Sequence, residues 1–233
     1  MNFKKSVLGG AGVLLVLLQI PTRAAPADSA EAWLNHYYLN PQPERLESAI
    51  QELSRGGFFE RPGNVPLAIG FFAGVFRQNP EQIDLWVMNT RTLPRAHQRL
   101  VASALWYSGH KRGVEYLEAY ARVVDSEMRA EIEGLLAQNP ALRETPVRSA
   151  SSLNLQWGAF LATGEAQHIR NVLAALGSDE PGLGAAVRVA LAEKAVAHER
   201  VYAICQAELE RQGSELRELM NTAQTGAKAV PGQ

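Results

Sequence analysis

Five histidines, a single cysteine and a Glu-Ser dipeptide are the first residues in this chain whose types bear on chemistry. His36, His97, His110, His168 and His198 form neither His-Glu-x-x-His nor any other close metal-binding spacing. His198 and Cys205 are seven residues apart and would share a helix face, but two ligands from one helix do not complete a zinc site. A single cysteine also excludes an intramolecular disulfide, and within an apolar helical pattern Cys205 reads as a small buried hydrophobe. A serine nucleophile needs a base and a positioned turn, and the chain has no Gly-x-Ser-x-Gly and no glycine-rich phosphate loop. Gly182-x-Gly184 follows a proline in a loop and is no nucleotide fingerprint. No catalytic, metal or cofactor-binding residue is therefore assigned, and no cofactor is expected.

Charged and aromatic residues give the remaining candidates. Arg91, Arg95 and Arg99 recur every fourth residue, with Lys111 and Arg112 one turn beyond the next helix. Pro94 interrupts the first group, and a helix of this length spans roughly 20 Å, so the two groups lie at opposite ends and read as a solvated basic face. The aromatics Trp33 and Tyr37, Phe72 and Phe76, and Tyr116 and Tyr120 are spaced i, i+4, the spacing of rings that pack helix on helix. Tyr107, Tyr116 and Tyr120 are the residues expected to line a groove for a peptide or glycan.

The elements that must position these side chains are helical almost throughout. Periodicity predicts helices over about 29–39, 43–54, 66–78, 81–89, 95–108, 112–123, 126–138, 152–163 and 165–176, and one long helix from Gly184 to about Asn221. Leu46, Ile50 and Leu53 make one buried face of the second. No strand alternation is present, so the expected class is all-α. Asn-Pro punctuates the pattern at Asn40-Pro41, Asn79-Pro80 and Asn139-Pro140; proline forces the preceding residue out of helical geometry, and Asn either satisfies loose carbonyls or turns left-handed.

"YYLNPQPERLESAI" and "VFRQNPEQIDLWV" share this stop and a Glu-x-x-apolar restart, while "ASALWYSGHKRGVEYLEAY" and "WGAFLATGEAQHIRNVLAAL" superpose on Gly109 and Gly164.

The hinge Ala162-Thr163-Gly164-Glu165-Ala166-Gln167-His168-Ile169 resembles the middle of a tetratricopeptide-type repeat, although hinge spacings of 39, 30 and 55 residues depart from a steady period and the Trp-x-x-Leu-Gly-x-x-Tyr pattern is absent. The resemblance implies stacked antiparallel helix pairs, a TPR-like solenoid or compact right-handed superhelix with a concave binding face. Glu47-Ser48 in "ERLESAIQEL" resembles the Glu-Ser pair of soluble lytic transglycosylases, which are helical, but the Gly-Leu-Met-Gln-type and Ala-Tyr-Asn-type stretches are missing and Glu47 falls on the polar side of its helix.

The first 27 residues read as a Sec-type signal peptide: Lys4 and Lys5, then an apolar stretch from Val7 to Ile20, then a small-residue exit with cleavage near Ala24 or Ala27. The apolar stretch is 14 residues long, shorter than a spanning helix needs, and no cysteine near the exit suits lipid attachment. Cleavage after Ala27 removes three of the 23 basic residues and none of the 24 acids, leaving a mature chain of 206 residues with net charge −4. That charge gives no overall pull toward nucleic acid or anionic lipid. Residues 28–221 are expected to form one helical domain, with a possible internal boundary at the Pro- and Ser-rich 140–151, and 222–233 a loose tail. The expected function is an exported, non-enzymatic binding or scaffolding module whose partner is another envelope protein or peptide. The alternatives are a peptidoglycan lyase or hydrolase, or a carrier of a small apolar ligand.

Overall fold

Ser29 opens the first helix by accepting a hydrogen bond from the Ala32 amide, and helical elements then follow without a strand among the described residues. A computed structural model describes residues 29–138 and 142–212. The expected signal segment, the Asn139-Pro140 stop, the predicted helix beyond Gln212 and the expected tail at 222–233 lie outside those residues. The helices are α1 (Ala30–His36), α2 (Leu46–Arg55), α3 (Asn64–Gln78), α4 (Ile83–Thr90), α5 (Arg95–Tyr107), α6 (Lys111–Ala121), α7 (Ser126–Leu136), α8 (Ala150–Thr163), α9 (Ala166–Leu173), α10 (Leu183–Ala197) and α11 (Glu199–Gln212). The protein is all-α, with ends close to those the periodicity predicts. Asp125 caps α7 by accepting from Met128, and Ser149 with Ser152 closes a reciprocal capping box on α8.

The two described Asn-Pro stops are built alike. Asn40 (φ −147°, ψ 82°) and Asn79 (φ −134°, ψ 57°) both stay out of the left-handed region, and each leads through a short 3-10 turn into a helix whose first residue, Leu46 or Ile83, is fully buried. Asn79 satisfies the loose carbonyls instead, donating its side-chain amide to the Val75 oxygen at 2.9 Å. The glycine hinges match as well. Gly109 (φ 62°) and Gly164 (φ 64°) end α5 and α8, and the hydroxyl just before each, Ser108 or Thr163, accepts from the amide two residues on.

At the centre, α3 and α8 cross with their backbones in contact. Both are apolar on every side, the pattern of a helix enclosed by others. A Cβ on Gly70 would stand 2.0 Å from the Leu155 carbonyl oxygen, and one on Gly158 would stand 1.9 Å from that of Leu67. Gly74, one turn beyond Gly70, meets Ala162 in the same way. Only residues without a side chain, or with a single methyl, allow helices this close. Repeats in an open solenoid touch mainly their neighbours, whereas this contact joins helices with α4 to α7 between them in the chain.

Rings fill the core beside the crossing: Trp33, Tyr37 and Phe71 meet edge to face at 5.2–5.3 Å, and Phe72, Phe59 and His97 continue the series. The apolar core runs unbroken from Ala30 to Cys205.

One expectation changes. The long final helix is broken: His198 leaves helical geometry (φ −134°, ψ 104°), ending α10 and starting α11. His198 is therefore the joint at the head of α11 and Cys205 lies within that helix, so the two do not share one helical face. The segment 142–149 is a strap seated on α8 and α9, with Leu142 and Val147 buried and Gln156 donating to the carbonyls of Leu142 and Thr145. Among the described residues, no helix is long and apolar enough to cross a membrane.

Candidate functional site

Tyr116 and Tyr120 project from one side of α6 toward α5, their rings 5.9 Å apart. Arg91 lies over the Tyr120 ring at 5.6 Å and donates to the Tyr116 hydroxyl, while Tyr120 donates to Gln98, whose own amide is spent on the carbonyls of Arg91 and Leu93. Burial raises the Tyr120 hydroxyl above its ordinary range. Little room remains: the cleft lined by Val87, Arg91, Gln98, Tyr116 and Tyr120 holds about 10 Å³, the space of one water. Tyr107 does not line this cleft; its ring packs edge-on against Trp106 at 4.5 Å. The structure thus brings two of the three expected tyrosines together and leaves the third apart.

On the other side of α5 lies a wider concavity. A groove of about 310 Å³ runs between α5 and α7, with Ala102, Met128, Ile132 and Leu135 on its floor and Arg99, Ser103, Glu131 and Gln138 around it. That volume is at the lower end of ligand pockets. Charge pairs fix the two helices in register: Arg95 binds Asp125, and Arg99 binds Glu127 at 2.6 Å and Glu131 at 2.8 Å. Arg95 and Arg99 of the arginine series are therefore used as a clamp between helices, and Arg112 is likewise taken by Asp84. Each pair is solvent-exposed and contributes modestly. Gly134 lines the groove in the last turn of α7, where an added Cβ would meet nothing within 4 Å.

Other chemistry-bearing side chains resolve into structural roles. Glu47 is partly buried and accepts from Asn89 at 2.9 Å, and it lines neither concavity. Ser108 and Lys111 have the Ser-x-x-Lys spacing that the motif reading passes over, but the buried Ser108 donates to the Leu105 carbonyl and Lys111 is exposed beside Glu115. A second constellation has no local spacing at all: Ser54 at the end of α2 lies 2.8 Å from His97 Nδ1, and Glu60 lies 3.4 Å from His97 Nε2. The order is that of a nucleophile, base and acid, yet the amides of Gly56 and Phe58 are already bonded to Glu52 and Leu53, and Ser54 sits at the carbonyl end of a helix. An oxyanion there would face negative dipole ends, so the trio ties α2 to α5. Burial pushes the Cys205 thiol up to about 11, the state of an inert packed cysteine.

Two histidines are strongly perturbed. His198 is buried against Tyr38, whose hydroxyl lies 3.2 Å from its Nδ1, and burial with Lys194 and His36 nearby brings it down to about 4. His168 is enclosed between α8 and α9. Gln156 donates its amide nitrogen to two strap carbonyls, so its oxygen faces His168 Nδ1 at 2.7 Å, and Nδ1 must carry the proton. Nε2 is then a bare lone pair, 3.9 Å from the Glu165 carboxylate and without a hydrogen-bond partner among the described residues.

No family model matches the chain, and neither a curated protein nor a solved structure is significantly similar to it.

Proposed function

We propose that the protein is an exported, non-enzymatic helical module that holds another envelope protein or peptide, with the groove between α5 and α7 as its binding face. The groove carries this reading because it joins an apolar floor to a polar rim, the layout of a recognition site. The clamped helices give it rigid walls. Arg99 is shared between Glu131 of the rim and Glu127 beside it, so two carboxylates accompany one guanidinium there, which suits a segment that presents an apolar side chain next to a Lys or Arg. Export rests on the tripartite leader of residues 1–27 and its cleavage near Ala24 or Ala27.

A TPR-like arrangement belongs to the same proposal. The matched hinges of α5–α6 and α8–α9 support repeated helix pairs, and the α3–α8 crossing makes the stack a closed, compact form. Tyr116 and Tyr120 would then stiffen the wall behind the groove, since Ala102 lies beneath both concavities.

A photo-crosslinking residue at Ser103 of the mature chain, exposed to envelope extract, tests this. A discrete polypeptide captured from Ser103, and not from a control at the exposed Gly177, is the expected result. Capture of nothing, or of the same proteins from both positions, would overturn it. Copurification of a small apolar molecule displaced by bulk at Gly134 would favour the carrier reading instead. Loss of a peptidoglycan-cleaving activity in Glu47→Gln would favour the enzyme.

A further inference from the structure

His168 and the strap at 142–149 form one hydrogen-bonded unit whose parts do not all agree. Its donors and acceptors run from His168 Nδ1–H to the Gln156 oxygen, and from the Gln156 amide to the carbonyls of Leu142 and Thr145. Asn171 adds a hydrogen bond to the Arg143 carbonyl at 2.9 Å. The strap's ionic anchor is Arg143, whose Nε lies 3.3 Å from Glu165 Oε2. That same oxygen is the one facing the bare Nε2 of His168, so two acceptors confront each other across 3.9 Å inside the protein. Buried acceptors facing each other without a donor are rare, because each forgoes the hydrogen bond that water would give it.

A proton from solvent removes the conflict. On Nε2 it creates a charged donor aimed at Glu165 Oε2, with no change in the Nδ1–H bond to Gln156. The groups that face His168 are Glu165 from the start of α9, Arg77 from the end of α3, Arg143 from the strap and Gln156 from α8. Arg170, two residues on, is already held by Glu208 of α11. Once His168 is charged, three cations converge on one carboxylate. Arg77 keeps Oε1, which it binds at 2.7 Å from a side chain that is 30% exposed. Arg143, at 3.3 Å and 61% exposed, loses least by returning to water. We propose that His168 is the sensor of an acid-loosened strap: its protonation transfers Glu165 Oε2 from Arg143 to the imidazole and removes the strap's ionic anchor, while the hydrogen bonds from Gln156 and Asn171 remain. Burial, reinforced by Arg77 and Arg143 and opposed by Glu165, holds His168 at about 4, so the strap stays closed at neutral pH.

Hydrogen–deuterium exchange on the mature protein, corrected for the intrinsic pH dependence of amide exchange, reads the strap directly. Protection of the Thr145 amide, which donates to the Leu142 carbonyl, should fall about tenfold or more between pH 7 and pH 4.5 while α3 and α8 remain protected, and His168→Gln should abolish that pH dependence. Unchanged strap protection in the wild type, or the same loss in His168→Gln, would overturn the proposal. Long-range proton–nitrogen NMR on the unmodified protein provides a test that needs no variant: at pH 7 His168 must carry its proton on Nδ1, and a proton on Nε2 refutes the switch.

Discussion

At the scale of single residues, the buried histidines give the protein a pH dependence of definite sign. His168 takes up a proton near 6.5 when the chain is unfolded and near 4 when it is folded. Between those values the unfolded state binds more protons, so stability is complete above about pH 6.5 and declines as the pH falls toward 4. His168 alone accounts for a loss of about 3 kcal/mol across that interval, and His198 adds to it with the same sign. Urea denaturation at pH 7 and pH 4.5 should show this difference, and His168→Gln should remove much of it; a wild type equally stable at both would refute the assignment. Gly134 predicts the opposite kind of change. A glycine inside a helix costs about 0.5–1 kcal/mol relative to alanine; Gly134 is in the last turn of α7 and nothing stands where its Cβ would go, so Gly134→Ala should raise stability by about 0.5 kcal/mol. If the groove binds as proposed, the same substitution should weaken capture at Ser103. Little of this was legible in the sequence: Glu165 stands three residues before His168, but Arg77, Arg143 and Gln156 come from α3, the strap and α8 and share no spacing with it.

At the scale of elements, the helix ends were legible and the contacts between helices were not. Asn-Pro and the hydroxyl–glycine hinges act through local backbone geometry, which a sequence carries in adjacent letters. The break at His198 has neither proline nor glycine beside it, and the apolar periodicity runs straight through, so it escaped the pattern. Gly70-x-x-x-Gly74 was visible as a spacing, but its partner Gly158 is fixed only by the fold. The tyrosines divided for a similar reason: Tyr116 and Tyr120 share a face of α6, while Tyr107 ends α5 and turns toward Trp106. The crossing makes a sharp prediction. Gly70→Ala or Gly158→Ala forces a methyl into a carbonyl oxygen and should each cost about 3 kcal/mol in chemical denaturation. The double substitution should cost clearly less than the sum, because separating the helices for one methyl already makes room for the other. Additive losses would mean that the two contacts yield independently.

At the scale of the whole molecule, the unbroken core implies that the parts on either side of 140–151 unfold together. Tryptophan fluorescence, with Trp33 and Trp86 on one side and Trp157 on the other, should give the same urea midpoint as helical circular dichroism. Separate midpoints would divide the chain into two cooperative units. The α3–α8 seam also governs how the protein comes into being. A chain made from its N-terminus completes α3 four helices before α8 exists, so through that interval the glycine-notched face of α3 is uncovered, although α5 can already pack on its other side. Contacts this distant in the chain form slowly. A chain truncated before Ala150 should therefore leave that face of α3 uncovered and bind a hydrophobic dye more strongly than the full chain.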